Sequence, residues 1–283
     1  MIKFKNPDWI KPYEYPYEKF EQIPESVFAE INHNLDQRIS KEPLVSILIA
    51  AWNEEINILR SVASLARLET KIPYEIIVVN NNSKDNTQLT IDKLHVRSFF
   101  AAKQGPGPAR QVGQENALGK YILLADADCI YPVKWLEKMA NALQKPGVVV
   151  VYGRYAFLSE PGYARWQLSI LETFKNIIAE LRHIKRPFMN TYGMSMGYIK
   201  EYGLKAGFLN NNIRGEDGRM TYDLMPYGKV VQVRSRSTTV WTGPRTLKQD
   251  GTLTNALKKR IVKEIRRFGE FFHTRMKYHA PKD

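Results

Sequence analysis

The chain of 283 residues has one cysteine, Cys129, so no internal disulfide can form. Its five histidines are scattered and have no second cysteine to join, which argues against a structural zinc site. No apolar run approaches the roughly 20 residues of a membrane span, and the opening MIKFKNPDWIKP lacks an apolar signal core. A cytoplasmic protein is therefore expected, either free or peripheral on the cytoplasmic face of a membrane. Acidic residues are scarce: 29 Asp and Glu stand against 42 Lys and Arg, for a net charge of +13. That balance favours an anionic partner, whether nucleotide, phosphate, nucleic acid or lipid head group. No internal repeat or low-complexity segment is found. With 43% hydrophobic and 11% aromatic residues the chain can bury a full core, read as one domain with appendages.

What is present changes character along the chain. PDWIKPYEYPYEKF is rich in Pro and Tyr and has no periodicity, so an irregular arm and a short helix are expected, packed on the body through their aromatic rings. After Pro43 the apolar run LVSILIAAWNEE reads as a strand buried on both faces. Ile56, Leu59, Val62, Ala63 and Leu65 keep helical spacing, and YEIIVVNNNSKDNT returns to strand. A helix starting near Ser83, a strand around RSFFAA, a loop and helix in GPGPARQVGQENALG and the strand KYILLADAD continue the alternation. Strands alternating with helices predict an open α/β sheet, with ligands at the carboxyl ends of its strands. PGVVVVYGRYAFL is read as one further strand, YARWQLSILETFKNIIAELRHI as a long amphipathic helix, and KVVQVRS as a last strand.

The apolar strand YILLADAD ends in two carboxylates that repel one another and resist burial. Strand alternation would direct Asp126 and Asp128 the same way and Ala127 oppositely. Paired carboxylates are hard oxygen ligands suited to Mg²⁺ or Mn²⁺, although Asp is also common in plain turns. Asn53 and Glu54 follow the first strand and Asn80, Asn81 and Asn82 the second, so all face the same crevice. In GEDG, Glu216 and Asp217 either meet a helix dipole or supply a general base, the flanking glycines allowing close approach. GPGPAR lacks the pattern of a P-loop or a dinucleotide loop. Cys129 reads as a small buried hydrophobe rather than a nucleophile.

Four stretches in order, VSILIAAWNEE, EIIVVNNNSKDNT, GPGPARQVGQENALGKYILLADAD and GEDGRM, resemble the inverting glycosyltransferases of family two over residues 44 to about 230. The resemblance implies a GT-A fold, an open mixed α/β sheet flanked by helices, with helical N- and C-terminal appendages. With the pattern changes along the chain, this divides it into an arm at 1–42, a catalytic domain at 43–245 and a basic amphipathic C-terminal helix at 246–283. It implies a nucleotide-diphospho-sugar donor whose base is held by Ala51, Trp52 and Glu54, with Asn81 beside it. Arg110 would sit on the donor-facing helix and Asp126 near the ribose, while Asp128, with Asp126, would hold the divalent metal, Mg²⁺ or Mn²⁺, that carries the diphosphate. Asp217, with Glu216 next to it, matches the catalytic base. The acceptor would be a hydroxyl of a glycan or a lipid-linked glycan, with TYGMSMGYIKEYG as an acceptor-proximal loop. No Gln-x-x-Arg-Trp follows GEDG, which favours transfer of a single sugar over processive synthesis. Charge and position near VWTGPR make Arg245 or Arg236 the residue expected to close over the phosphates.

Two other functions fit the sequence less well. A sugar-nucleotide nucleotidyltransferase would need a glycine-rich loop with a basic residue after the first strand, where this chain has the acidic AAWNEE. A nucleic-acid binder would need clustered base-stacking motifs, and the crevice carboxylates would repel a phosphate backbone, so no nucleic-acid partner is expected. In the tail, Leu257, Ile261, Ile265, Phe268, Phe272 and Met276 recur every three or four residues among Lys258, Lys259, Arg260, Lys263, Arg266 and Arg267. This predicts a basic amphipathic helix over 253–278 that docks on an anionic membrane surface or packs on the catalytic domain.

Overall fold

The computed structural model describes residues 3–209 and 215–248. At the N-terminus, 3₁₀ turns at Asp8–Tyr13 and Phe20–Gln22 precede helix α1 (Glu25–Asp36). Ile10, Tyr13, Phe28, Ile31 and Leu35 are buried in one cluster with Val45, Ile47, Ile49, Ile76 and Val78, so the arm helps to close the body's core.

The expected alternation follows as β1 (Val45–Ala51), α2 (Asn57–Leu65), β2 (Tyr74–Asn80), α3 (Thr87–Asp92), β3 (Arg97–Phe100), α4 (Pro106–Asn116) and β4 (Tyr121–Asp126). β1, β2 and β4 are buried almost throughout, because helices cover both faces of a parallel sheet and leave no side for polar residues. Helix α3 begins later than Ser83. Ser83 Oγ instead accepts the Asn53 N–H at 3.0 Å, Lys84 N–H donates to Asn53 Oδ1 at 2.8 Å, and Asp85 Oδ1 accepts the Thr87 N–H at 3.0 Å. Residues 83–85 thus tie the two loops together before the helix can start.

The second half adds β5 (Cys129–Ile130), α5 (Trp135–Leu143), β6 (Val148–Tyr152), β7 (Tyr155–Phe157), α6 (Arg165–Lys185), β8 (Met196–Ile199), α7 (Lys200–Ala206), α8 (Glu216–Leu224), β9 (Lys229–Gln232), β10 (Val240–Thr242) and α9 (Arg245–Lys248). Seven strands form the main sheet in the order β3-β2-β1-β4-β8-β6-β9, and β5-β10-β7 form a second sheet. β8 runs antiparallel to both β4 and β6, which makes the main sheet mixed. The run PGVVVVYGRYAFL is two strands, not one. Gly153 N–H donates to Ser195 O in the main sheet, whereas Arg154 O accepts Val240 N–H from the second, so the chain changes sheets between these residues.

Among the described residues no helix is long and apolar enough to cross a membrane. The amphipathic segment expected at 253–278 lies outside the described residues.

Candidate active site

Pairing register brings the carboxyl ends of three strands side by side: Ala51 opposes Asn80 and Ala50 opposes Asp126. Ala51 is fully buried and its carbonyl accepts the Asn81 N–H at 2.8 Å, so only backbone is offered at that position. Trp52, directly after it at the end of β1, is half exposed. Asn81 is buried with its amide fully engaged: Nδ2 donates to Lys103 O at 2.8 Å and Oδ1 accepts Gly105 N–H at 2.7 Å. It therefore fixes the loop that enters α4 instead of presenting its side chain to the crevice.

The Asp126 and Asp128 carboxylates stay near one another, as expected, but turn geometry rather than strand alternation brings them there. β4 ends at Asp126, and Ala127 and Asp128 belong to a turn, where strand geometry no longer sets direction. Tyr131 anchors this turn, its hydroxyl accepting the Asp126 N–H at 2.8 Å and donating to Met194 O at 3.2 Å. Each carboxylate then meets a different arginine. Arg110 Nη2 lies 3.3 Å from Asp126 Oδ1, and Arg245 Nη2 lies 2.7 Å from Asp128 Oδ2. The turn nonetheless keeps one ligand atom each of Asp126, Asp128 and Cys129 within 4.8 Å of one another. Burial and the neighbouring carboxylates push the Cys129 thiol well above its usual range, so it stays protonated. The two aspartates remain as hard oxygen donors, which is the set that Mg²⁺ or Mn²⁺ prefers.

Arg110, buried on α4, joins the two carboxylate pairs. Its Nη1 donates to Glu216 Oε1 and to Asp217 Oδ1, both at 2.5 Å. Gly215 starts α8 with φ +99°, a left-handed conformation that favours glycine, and so turns Glu216 and Asp217 inward. Asp217 Oδ2 accepts the Gly193 N–H at 2.9 Å. A Cβ at residue 193 would fall 1.8 Å from Arg110 Nη2, so only glycine lets the loop approach the guanidinium. Within the acidic pair, the Glu216 side chain is 3% exposed and that of Asp217 is 19% exposed, leaving Asp217 the one open to the crevice. Glu216 Oε2 is buried with no hydrogen-bond partner among the described residues.

One guanidinium cannot neutralise three carboxylates. Burial pushes Glu216 up to about 7, more than the attraction of Arg110 brings it down. Burial likewise lifts Asp126 to about 7, reinforced by Asp128 and Asp217, although 31% of its side chain still faces solvent. At the other side of the turn Arg245 bridges Asp128 and Glu54, donating from Nη1 to Glu54 Oε1 at 2.7 Å. Burial and repulsion from Asp128 raise the pKa of Glu54 too. Five carboxylates thus converge on two arginines, a local excess of negative charge in a chain of net charge +13. Arg236, the other arginine expected over the phosphates, sits in a 3₁₀ turn at Arg236–Thr238 and has no contact with these carboxylates among those described.

The model of Glycosyl transferase family 2 matches residues 46–203, more than half of the chain. The chain belongs to glycosyltransferase family 2. Relatives in this family include an uncharacterized glycosyltransferase of Haemophilus influenzae, 30% identical over 48% of this chain and 55% of its own length. Glycosyltransferase AglE of Haloferax volcanii is 32% identical over 41% of this chain and 40% of its own. The chain therefore spans about half the length of the curated relatives it matches. Among solved structures, the mannosyltransferase PcManGT of Pyrobaculum calidifontis in complex with GDP-Man and Mn²⁺ superposes with a TM-score of 0.55 at 16% identity, over 83% of this chain and 70% of that one. S. aureus TarS 1-349 in complex with UDP-GlcNAc gives 0.54 at 17% identity, over 70% and 58%. The fold is the GT-A fold of these glycosyltransferases.

Sequence spacing alone does not mark Gly193 or Tyr131 as site residues. Gly193 lies within TYGMSMG, where only an acceptor-proximal loop is legible, and Tyr131 follows the aspartates in a run that reads as core.

Proposed function

We propose that this chain transfers a single sugar from a nucleotide-diphospho-sugar to an acceptor hydroxyl, with inversion at the anomeric carbon. The observation that carries the reading is the charge imbalance at the strand ends. A diphosphate cannot approach five carboxylates and two arginines without an added cation, and the aspartates of the β4 turn offer the oxygens to hold one. PcManGT with GDP-Man and Mn²⁺, and TarS with UDP-GlcNAc, support a donor of this class. Asp128 and Asp126 would hold Mg²⁺ or Mn²⁺, which when bound offsets the charge growing on the leaving diphosphate. Trp52 offers its exposed ring to the base. Arg245, half-exposed on Glu54 and Asp128, is the arginine that would reach the donor's phosphates.

Asp217 is the base in this reading. Arg110 and the Gly193 N–H hold its carboxylate in place, and its position at the crevice wall lets it take the proton of the attacking hydroxyl. The acceptor oxygen forms its bond to the anomeric carbon as the bond to the diphosphate oxygen breaks on the opposite face, so one displacement inverts the centre. Glu216, buried behind it, orients Arg110 rather than meeting substrate. The acceptor is a hydroxyl of a glycan or lipid-linked glycan, and the basic residues of 253–278 suit a chain that works beside an anionic membrane surface.

The test incubates the full chain with UDP-GlcNAc or GDP-mannose and Mn²⁺ and follows release of the nucleoside diphosphate, with and without added glycan acceptors. Release that requires metal and is lost in Asp217→Asn supports the proposal. Metal-independent release, or full activity in Asp217→Asn, contradicts it.

A further inference from the structure

Helix α6 is apolar on two opposite sides, yet the described residues cover only one. Leu168 and Leu171 are buried against Phe157, Tyr163 and Leu247. On the other side Trp166, Phe174, Ile177, Leu181 and Ile184 are exposed, Ile184 to 76%. Their spacing of three, four or eight residues places them on one stripe of the helix, about 27 Å long from 166 to 184. A continuous exposed stripe of large apolar side chains on a chain this size marks a contact surface.

We infer that this stripe is covered by the chain's own C-terminal segment, residues 257–276. The described chain ends beside the start of α6: Leu247 is buried against Leu168 and Leu171, and Lys248 Nζ pairs with Glu160 Oε2 at 2.5 Å, just before the helix begins. The last described residues thus lie at the N-terminal end of α6, on its covered side, so a segment that reaches the stripe must pass around the helix. Residues 249–256 can span up to about 27 Å if extended, more than enough to turn onto the helix. Leu257, Ile261, Ile265, Phe268, Phe272 and Met276 then repeat at helical spacing over about 28 Å, a length matching that of α6. On the same spacing Lys259, Lys263, Arg266 and Arg267 fall on the side opposite this stripe, so seating the segment buries apolar surface without stranding those charges. The seated segment would run along the helix whose C-terminal end leads into the Thr191–Gly193 loop that holds Asp217, with a row of cations facing outward.

The experiment is cross-linking in the full chain. Ile177→Cys, on the exposed stripe, is paired in turn with Ile261→Cys, Ile265→Cys, Phe268→Cys, Lys259→Cys and Lys263→Cys, and each is treated with a short bis-maleimide. Cys129 is buried and gives little background. Intramolecular cross-links at the three apolar positions, about tenfold or more above the two lysine positions and independent of protein concentration, are expected from the high effective concentration of a seated segment. Equal yields at all five positions would overturn the inference. So would cross-links formed only between molecules, which would make the stripe a dimer surface. A bimane label on Ile177→Cys that enters phosphatidylglycerol vesicles, with no cross-link in their absence, would assign the stripe to a membrane and likewise overturn it.

Discussion

Two arginines hold the carboxylates of this crevice, and they do so in opposite surroundings. Arg110 is 7% exposed and is clamped between Glu216, Asp217 and Asp126, whereas Arg245 is 59% exposed and bridges Glu54 and Asp128 from the last described helix. Buried, the first pairing is structural: every charge there has been taken from water and depends on its partners. Open to solvent, the second is weak and exchangeable, since water can replace either partner at small cost. The difference gives the crevice a fixed side and a replaceable side; in the proposed function the first aims the base and the second admits cation and diphosphate.

The largest effect separating the two should come from Arg110→Ala. It leaves Glu216 and Asp217 buried without a counter-charge, and urea denaturation should show a loss of about 3–5 kcal/mol. Asp217→Asn should leave the fold and donor affinity nearly unchanged while turnover falls by roughly 10²–10⁴-fold, the usual contribution of general base catalysis. Glu216→Gln is its control, and the roles are reversed if that variant alone abolishes turnover. On the replaceable side, Asp128→Asn should remove most of the metal dependence of donor binding, as read by titrating Mn²⁺ in the presence of donor.

A pH experiment sharpens the contrast further. Glu216 keeps its proton up to about 7 in the folded chain but loses it in the ordinary carboxylate range when unfolded. Because its pKa is raised by folding, its stabilising contribution is full below that range and is lost as pH rises through about 7. Glu216→Gln cannot ionise, so its Tm should fall less than that of the parent between about pH 5 and pH 8. The smallest effect is expected from Arg245→Ala, a change in stability within about 1 kcal/mol. Equal losses for Arg110→Ala and Arg245→Ala would erase the comparison.

Much of this architecture is legible before any coordinates, for reasons that also explain the gaps. Strands β1, β2 and β4 are long apolar runs between helical patterns, so hydrophobicity alone reveals them. β8 is four residues, Met196–Ile199, in a stretch broken by glycines, and its antiparallel insertion between β4 and β6 leaves no periodic trace. The second sheet is built from strands of two and three residues, too short for any alternation to register. In the site, residues beside one another in sequence were legible as pairs, such as Asp126 with Asp128 and Glu216 with Asp217. That Arg110 joins them across 106 positions, or that Gly193 must lack a side chain for it to fit, depends on tertiary approach that residue spacing does not encode.

The central claim is that the negative excess at the strand ends is a site for a divalent cation and the diphosphate it carries. Calorimetric titration of UDP-GlcNAc and of GDP-mannose into the full chain, with Mn²⁺ and then with EDTA, tests it most directly. The account predicts binding of at least one donor in Mn²⁺, its loss in EDTA, and little metal-dependent binding in Asp128→Asn. Donor binding of equal affinity in Mn²⁺ and EDTA would contradict it.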